Sequence, residues 1–181
     1  MGIVFNGTAD CSFFVFGICL TSVLKGGTLQ RKAVIWKAWI MKEVITHSES
    51  ETEAFGKALA EMIPSSTVLC LYGELGAGKT ALIRGLAEGM GLSCTVSSPT
   101  FTIVNEYLGE RDLIHFDMYR LSGAEELFDI GWDDYLSRNA VLAVEWSENV
   151  EDAFDGSEIR IRIEKLSETD RRITVEGGSI C

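Results

Sequence analysis

Gly73, Gly78, Lys79 and Thr80 stand at the spacing G-x-x-x-x-G-K-[ST] within the run Gly73, Glu74, Leu75, Gly76, Ala77, Gly78, Lys79, Thr80, Ala81. Each residue type has a mechanical reason to be there. Glycines let backbone N–H groups turn inward onto phosphate oxygens, and a helix starting near Lys79 presents its positive end to the same anion. The lysine is placed to reach β- and γ-phosphates, and the neighbouring hydroxyl to ligate magnesium. The chemistry expected is binding of a nucleoside triphosphate, ATP, with Mg2+. With glycine at about 7% of residues, the four fixed positions coincide by chance in a chain of this size on the order of one time in a hundred or fewer.

A triphosphate site also needs an acid on the magnesium side, normally at the carboxyl end of a buried strand. Asp117 ends the run Leu-Ile-His-Phe, and Glu145 ends Ala-Val-Leu-Ala-Val. Asp117 is favoured by residue type and Glu145 by the apolarity of its strand, so residue types alone leave both open. Ser97, Ser98, Pro99 and Thr100 lie where nucleotide switches keep a loop that senses the γ-phosphate, and the Thr100 hydroxyl could bind magnesium or orient water. Arg120 is a candidate phosphate or partner contact. His115 is expected to pack against the sheet and His47 to lie in a polar lead-in, as lone histidines are more often structural than catalytic. Trp146, directly after Glu145, is either core or a shield over the site.

The elements that must position these residues are legible from the pattern. Ser50 and Glu53 have capping-box spacing, and Ala54, Phe55, Ala58, Leu59 and Met62 follow at helical intervals, giving a first helix that stops near Pro64. Val68–Tyr72 is a short apolar run suited to a strand buried on both faces. A second helix follows over roughly 79–90, closed by Gly91. Thr102–Tyr107 and Leu113–Phe116 suggest a hairpin, Ser122 and Glu125 repeat the capping spacing, and a further short helix is expected over 133–137. Ala140–Val144 is a second buried strand. Ile159, Ile161 and Ile163, then Ile173 and Val175, alternate with polar residues as an antiparallel pair does. The fold class expected is α/β: a layered P-loop fold with a central mixed β-sheet flanked by helices and with C-terminal antiparallel strands.

The chain has 181 residues, enough for one well-packed domain. Composition changes at Met41, so residues 1–40 are expected to be an extension, with Met41 the natural initiator and 41–181 the nucleotide-binding domain. The formal net charge is -11, which opposes close approach to a nucleic-acid backbone. Lys25, Arg31, Lys32 and Lys37 fall in the first forty residues against Asp10 alone, so the remainder is more acidic still. Direct binding of RNA or DNA by this chain alone is disfavoured, although a local basic spot still suffices for one phosphate chain. The five cysteines, Cys11, Cys19, Cys70, Cys94 and Cys181, include no C-x-x-C pair, and reduced thiols in a cytosolic protein are expected. The apolar stretch Cys11–Leu24 is too short to span a bilayer and lacks the flanks of a secretory signal, so no membrane association is expected.

Taken together, G-E-L-G-A-G-K-T, S-P-T-F, H-F-D-M-Y-R and E-W, in this order and at these spacings, resemble the TsaE family of ATPases in bacterial tRNA threonylcarbamoyladenosine synthesis. The resemblance covers the chain from about Met41 to the C-terminal hairpin and leaves the first forty residues without a counterpart. It implies ATP binding at Gly73–Thr80, with contributions from Ala81 and Trp146, and magnesium held by Thr80 and Glu145. It assigns Asp117, Thr100 and Trp146 to hydrolysis or switching, with Lys79 and Glu145 also counted as catalytic; it thereby settles the two acids as Glu145 the metal ligand and Asp117 the water-organising or switch residue, and places Glu49 and Thr52 near the base. It further implies TsaB and TsaD as partners, with tRNA reached through the complex and hydrolysis supporting repeated threonylcarbamoyl transfer. Two other readings stand beside it. A free-standing small-molecule kinase would usually need an arginine-bearing lid that the sequence does not show, and a nucleotide-gated binding module would use Thr100 and Asp117 to move a loop without useful turnover.

Overall fold

The computed structural model describes residues 41–177, together with two short strands nearer the N-terminus, β1 (Phe14–Val15) and β2 (Ile18–Cys19), which pair antiparallel. The rest of the expected extension, including most of the apolar stretch from Cys11, lies outside the described residues. Among the described residues no helix is long and apolar enough to cross a membrane.

From Met41 onward the elements are β3 (Met41–Thr46), α1 (Glu49–Ala60), β4 (Thr67–Tyr72), α2 (Lys79–Gly89), β5 (Val104–Tyr107), β6 (Asp112–Asp117), α3 (Ala124–Asp129), α4 (Trp132–Leu136), β7 (Ala140–Glu145), a 3-10 segment Ser147–Ala153, β8 (Ile159–Lys165) and β9 (Arg171–Gly177). Seven strands form one mixed sheet in the order β3-β9-β8-β4-β7-β6-β5. The inner four, β8, β4, β7 and β6, run parallel, while β9, β3 and β5 attach antiparallel. The fold class expected from the sequence is therefore the one observed.

Side-chain alternation divides the core into two layers. Leu69 and Leu71 of β4, Leu113 of β6 and Val141 of β7 join Leu59 of α1 and Leu82 and Leu86 of α2 on one face. Ile114, Phe116, Leu142 and Val144 meet Leu127 and Trp132 on the other. Each fully buried leucine contributes about 1.5–3 kcal/mol relative to an exposed one, so the parallel strands need both helical layers. The two helices of the first layer approach unusually closely. A Cβ on Gly85 would lie 1.8 Å from the Glu53 carbonyl oxygen, and one on Gly56 would lie 2.1 Å from that of Leu82. Glycine at these places lets α1 lie directly on the helix that carries Lys79.

Two capping expectations are corrected. The first helix is capped by Ser48, whose Oγ accepts the Glu51 N–H at 3.2 Å, while the Glu51 carboxylate accepts the His47 N–H at 2.8 Å. The register sits two residues earlier than Ser50 and Glu53 because Thr52 is pinned: its hydroxyl bonds that of Thr46 at 2.9 Å. Likewise Ser122 does not cap α3; its N–H donates to Glu126 at 3.3 Å, and Gly123 precedes the helix without a side-chain cap. Strand β3 was not expected at all.

Candidate nucleotide site

The loop Gly73–Gly78 joins the end of β4, at the centre of the sheet, to α2. Gly73 (φ 145°) could carry no side chain, since a Cβ would lie 2.4 Å from the Ile163 carbonyl oxygen. Gly78 (φ 110°) precedes α2 in a conformation that disfavours other residues. The head of α2 has neither a side-chain cap nor an acidic residue in its first turn. By contrast, α1 carries both Ser48 and two glutamates. The free N–H groups and positive dipole end of α2 are thus left for an external anion.

Lys79, the first residue of α2, folds back onto this loop, with Nζ donating to the carbonyls of Gly73 (2.5 Å) and Glu74 (3.1 Å). The ammonium also sits 3.7 Å from the centre of the Trp146 ring, a cation–π contact. Burial holds its pKa below the ordinary lysine value, against the opposing pull of Glu145, Glu148 and Asp117. Trp146 therefore does both things the sequence left open: it packs on the second core layer and covers the lysine.

The two acids take different parts. Strand register sets Asp117 opposite Glu145, on the sheet face that also carries His115. The Thr80 hydroxyl donates to Glu145 Oε1 at 2.7 Å, and His115 Nε2 meets the same oxygen at 2.9 Å. Because a carboxylate only accepts, His115 carries its proton on Nε2, and its buried Nδ1 has no partner. Asp117 instead holds the Ser98 and Thr100 hydroxyls on Oδ2, both at 2.6 Å, and the Tyr119 N–H on Oδ1 at 3.0 Å. The expected switch loop is thus fastened to one strand-end carboxylate while the other attends the P-loop hydroxyl.

Backbone strain brackets the same place. Ile103 (φ 69°) ends the loop fastened to Asp117, and Trp146 (φ 60°) follows Glu145. Non-glycine residues in the left-handed region cost on the order of 1–3 kcal/mol each and concentrate at functional sites. A cleft of about 760 Å³ opens here, lined by Leu75 to Ala81, Thr100, Asp117, Glu145 and Trp146. That is the size of an ordinary small-ligand site. Gly73 and Glu74 contribute the carbonyls that hold Lys79 rather than cleft wall. Glu49 and Thr52 also line the cleft. Arg120 is exposed, lies 5.8 Å from the Phe101 ring and is not among the residues lining the cleft.

The donor set suits magnesium. Thr80 and Glu145 supply hard oxygen donors to the cleft at the head of α2. Among the described residues no three His, Cys, Asp or Glu side chains converge as a self-sufficient metal cage. Mg2+ is commonly held by one or two protein oxygens plus substrate phosphates and waters, which is the arrangement these residues permit.

The family profile for the threonylcarbamoyl adenosine biosynthesis protein TsaE matches residues 46–173. The chain belongs to the TsaE family. It is 34% identical over 131 residues to the tRNA threonylcarbamoyladenosine biosynthesis protein TsaE of Treponema pallidum, covering 72% of this chain and 97% of that one. The Bacillus subtilis TsaE is 39% identical over 130 residues, covering 71% and 81%. A crystal structure of Bacillus subtilis YdiB superposes with a TM-score of 0.67 at 33% identity, covering 77% of this chain and 88% of that one.

Sequence reasoning passed over two residues at the site. His115 was read as packing alone, although its two-residue offset from Asp117 places both on one strand face. Arg171, whose Nε donates to the Ala77 carbonyl at 2.9 Å, carries no local signal, because it reaches the loop from a strand 94 residues away.

Proposed function

We propose that this chain is a magnesium-dependent ATPase that acts in tRNA threonylcarbamoyladenosine biosynthesis together with TsaB and TsaD, in the cytoplasm. The pathway follows from the family. The site supports the nucleotide and the metal, while turnover and the partners rest on the family resemblance. The observation that carries the reading is the division of labour between the two acids: Glu145 on the Thr80 hydroxyl, Asp117 on the switch-loop hydroxyls.

In this reading the N–H groups at the head of α2 and Lys79 receive the phosphates, and Lys79 exchanges its loop carbonyls for phosphate oxygens. Thr80 and Glu145 would hold magnesium, which would supply charge neutralisation at the phosphates. Asp117 keeps Thr100 beside the phosphate end, so that the loop reports which nucleotide is present. The net charge of -11 leaves tRNA contact to the partner proteins. The domain is assigned to residues 41–181, in line with a family match that begins at residue 46; peptides from before Met41 recovered from the source cell would contradict Met41 as the initiator.

The test is ATP hydrolysis by the full chain alone, with TsaB and TsaD, and with tRNA added. Turnover that rises with the partners supports the proposal. Unchanged slow turnover in all three mixtures contradicts it, and phosphate transferred to a small metabolite would indicate the kinase reading. Lys79→Ala should abolish nucleotide binding with the fold retained.

A further inference from the structure

We propose that Arg171 is a positioning residue for the phosphate cradle, tying the P-loop to the β8–β9 turn so that nucleotide binding and order of that turn are coupled. The inference rests on nucleotide binding at the cradle and goes beyond it in assigning a residue outside every motif of the site.

Arg171 is the first residue of β9 and is half-buried. Its guanidinium faces two segments at once. Toward the P-loop, Nε donates to the Ala77 carbonyl at 2.9 Å and Nη2 to that of Gly76 at 3.4 Å. Toward the turn, Nη1 meets the carbonyls of Ser167 (3.1 Å), Glu168 (3.2 Å) and Asp170 (3.0 Å). All five acceptors are backbone carbonyls, and among the described residues no carboxylate pairs with this cation. In a chain with 27 acidic residues against 16 basic ones, an arginine spent wholly on main chain beside an anion site has two consequences.

The first is geometric. A planar trans peptide holds the carbonyl of one residue and the N–H of the next antiparallel. Fixing the Ala77 carbonyl on Arg171 therefore aims the Gly78 N–H to the opposite side of the loop, alongside the open head of α2. The Ala77 N–H is separately taken by the Glu74 carbonyl at 3.1 Å, so the loop is held on both sides of the peptide that must present Gly78. Only a planar fork with several donors can bridge two segments in this way; a lysine offers a single ammonium.

The second is coupling. The turn is otherwise closed by its own bonds, Leu166 N–H to the Asp170 carbonyl at 3.0 Å and Ser167 N–H to the same oxygen at 3.3 Å. Asp170 also meets His47 at 2.8 Å, next to the Ser48 cap of α1. Thr169 and Glu168 line the cleft with Arg171. A ligand that tightens the P-loop tightens Arg171, and through it the turn; by linkage, loosening the turn weakens the ligand by the same factor.

The experiment compares full-chain wild type, Arg171→Gln and Arg171→Lys by equilibrium binding of fluorescent ADP and by hydrogen exchange of residues 166–170 with and without ADP. The expected result is about tenfold weaker binding in both variants, the size of one lost charge-assisted hydrogen bond, and loss of the ADP-dependent protection of the turn seen in wild type. Circular dichroism and the melting temperature without ligand establish that each variant is folded, and Arg171→Lys serves alone should the glutamine variant not fold. Binding within twofold of wild type with unchanged turn protection overturns the proposal. So does full rescue by lysine, which would make Arg171 a source of charge only. Wild-type protein that binds no nucleotide would instead refute the functional reading on which this inference rests.

Discussion

Replacing Asp117 isolates what fastens the switch loop. Its carboxylate is buried, 2% exposed, and accepts three hydrogen bonds: from Ser98, Thr100 and the Tyr119 N–H. In Asp117→Asn the amide oxygen can stay on Tyr119 while the NH2 group faces the two hydroxyls, which rotate to accept. The bonds persist but lose charge assistance, falling from about 1.5–3 to about 0.5–1.5 kcal/mol each. Relief from burying a charge returns part of this, leaving a net cost of about 1 kcal/mol. In Asp117→Ala all three donors lose their partner. The exposed Ser98 and half-buried Thr100 hydroxyls turn to water, the Tyr119 N–H is left without its acceptor, and the cost rises to about 2–3 kcal/mol. For a domain of this size those values correspond to melting-point drops of about 2–4 °C and about 5–10 °C. Scanning calorimetry measures them, and hydrogen exchange over residues 97–103 shows whether the loop is released in the alanine variant while the asparagine variant keeps most of its protection. Equal melting points for all three proteins, with unchanged exchange, would refute the assignment of Asp117 as the fastening of this loop.

Gly85→Ala should destabilise the domain by about 2 kcal/mol or more, since its Cβ would fall 1.8 Å from the Glu53 carbonyl oxygen and α1 would have to shift off α2; urea denaturation reads this, and a midpoint equal to wild type would contradict the close helix contact. The His47–Asp170 pair (2.8 Å) predicts a bounded pH effect. His47 is raised from its ordinary 6.5 by its bond to Asp170, so its contribution is complete below that pH and is lost as pH rises through the raised value. Asp170 is lowered from its ordinary 3.8 by its bond to His47, so its contribution is complete above that pH and is lost as pH falls through the lowered value. His47→Gln should therefore cost stability near pH 5 and little near pH 8, and a pH-independent difference in melting temperature would contradict the pair.

How far the sequence speaks depends on whether a residue's role is local. The P-loop is legible because four residue types at fixed spacing are required by a single turn and helix head. The buried strands β4 and β7 are legible because parallel central strands must be apolar on both faces. Strand β3 is not: it lies at the sheet edge, Glu43 and Ile45 face solvent, and its order comes from ladder bonds to β9 rather than from an apolar run. The cap at Ser48 is hidden for a similar reason, as Ser50 offers the same spacing and only the Thr46–Thr52 contact selects between them. Residue types found both acids but left their duties open, since those depend on which hydroxyls the strand register brings within reach; only the family resemblance pointed to Glu145 as the metal ligand and Asp117 as the switch residue. His115 illustrates the limit of the prior that lone histidines are structural: it is fully buried, yet its one bond goes to Glu145.

In the proposed reading Thr80 and Glu145 make nucleotide binding depend on magnesium. The direct measurement is the affinity of full-length wild type and Glu145→Ala for ATP in Mg2+ and for ADP in EDTA. The substitution should remove most of the magnesium-dependent gain for ATP and leave metal-free ADP binding within about twofold. Equal losses in both conditions, or an undiminished magnesium effect, would contradict that reading.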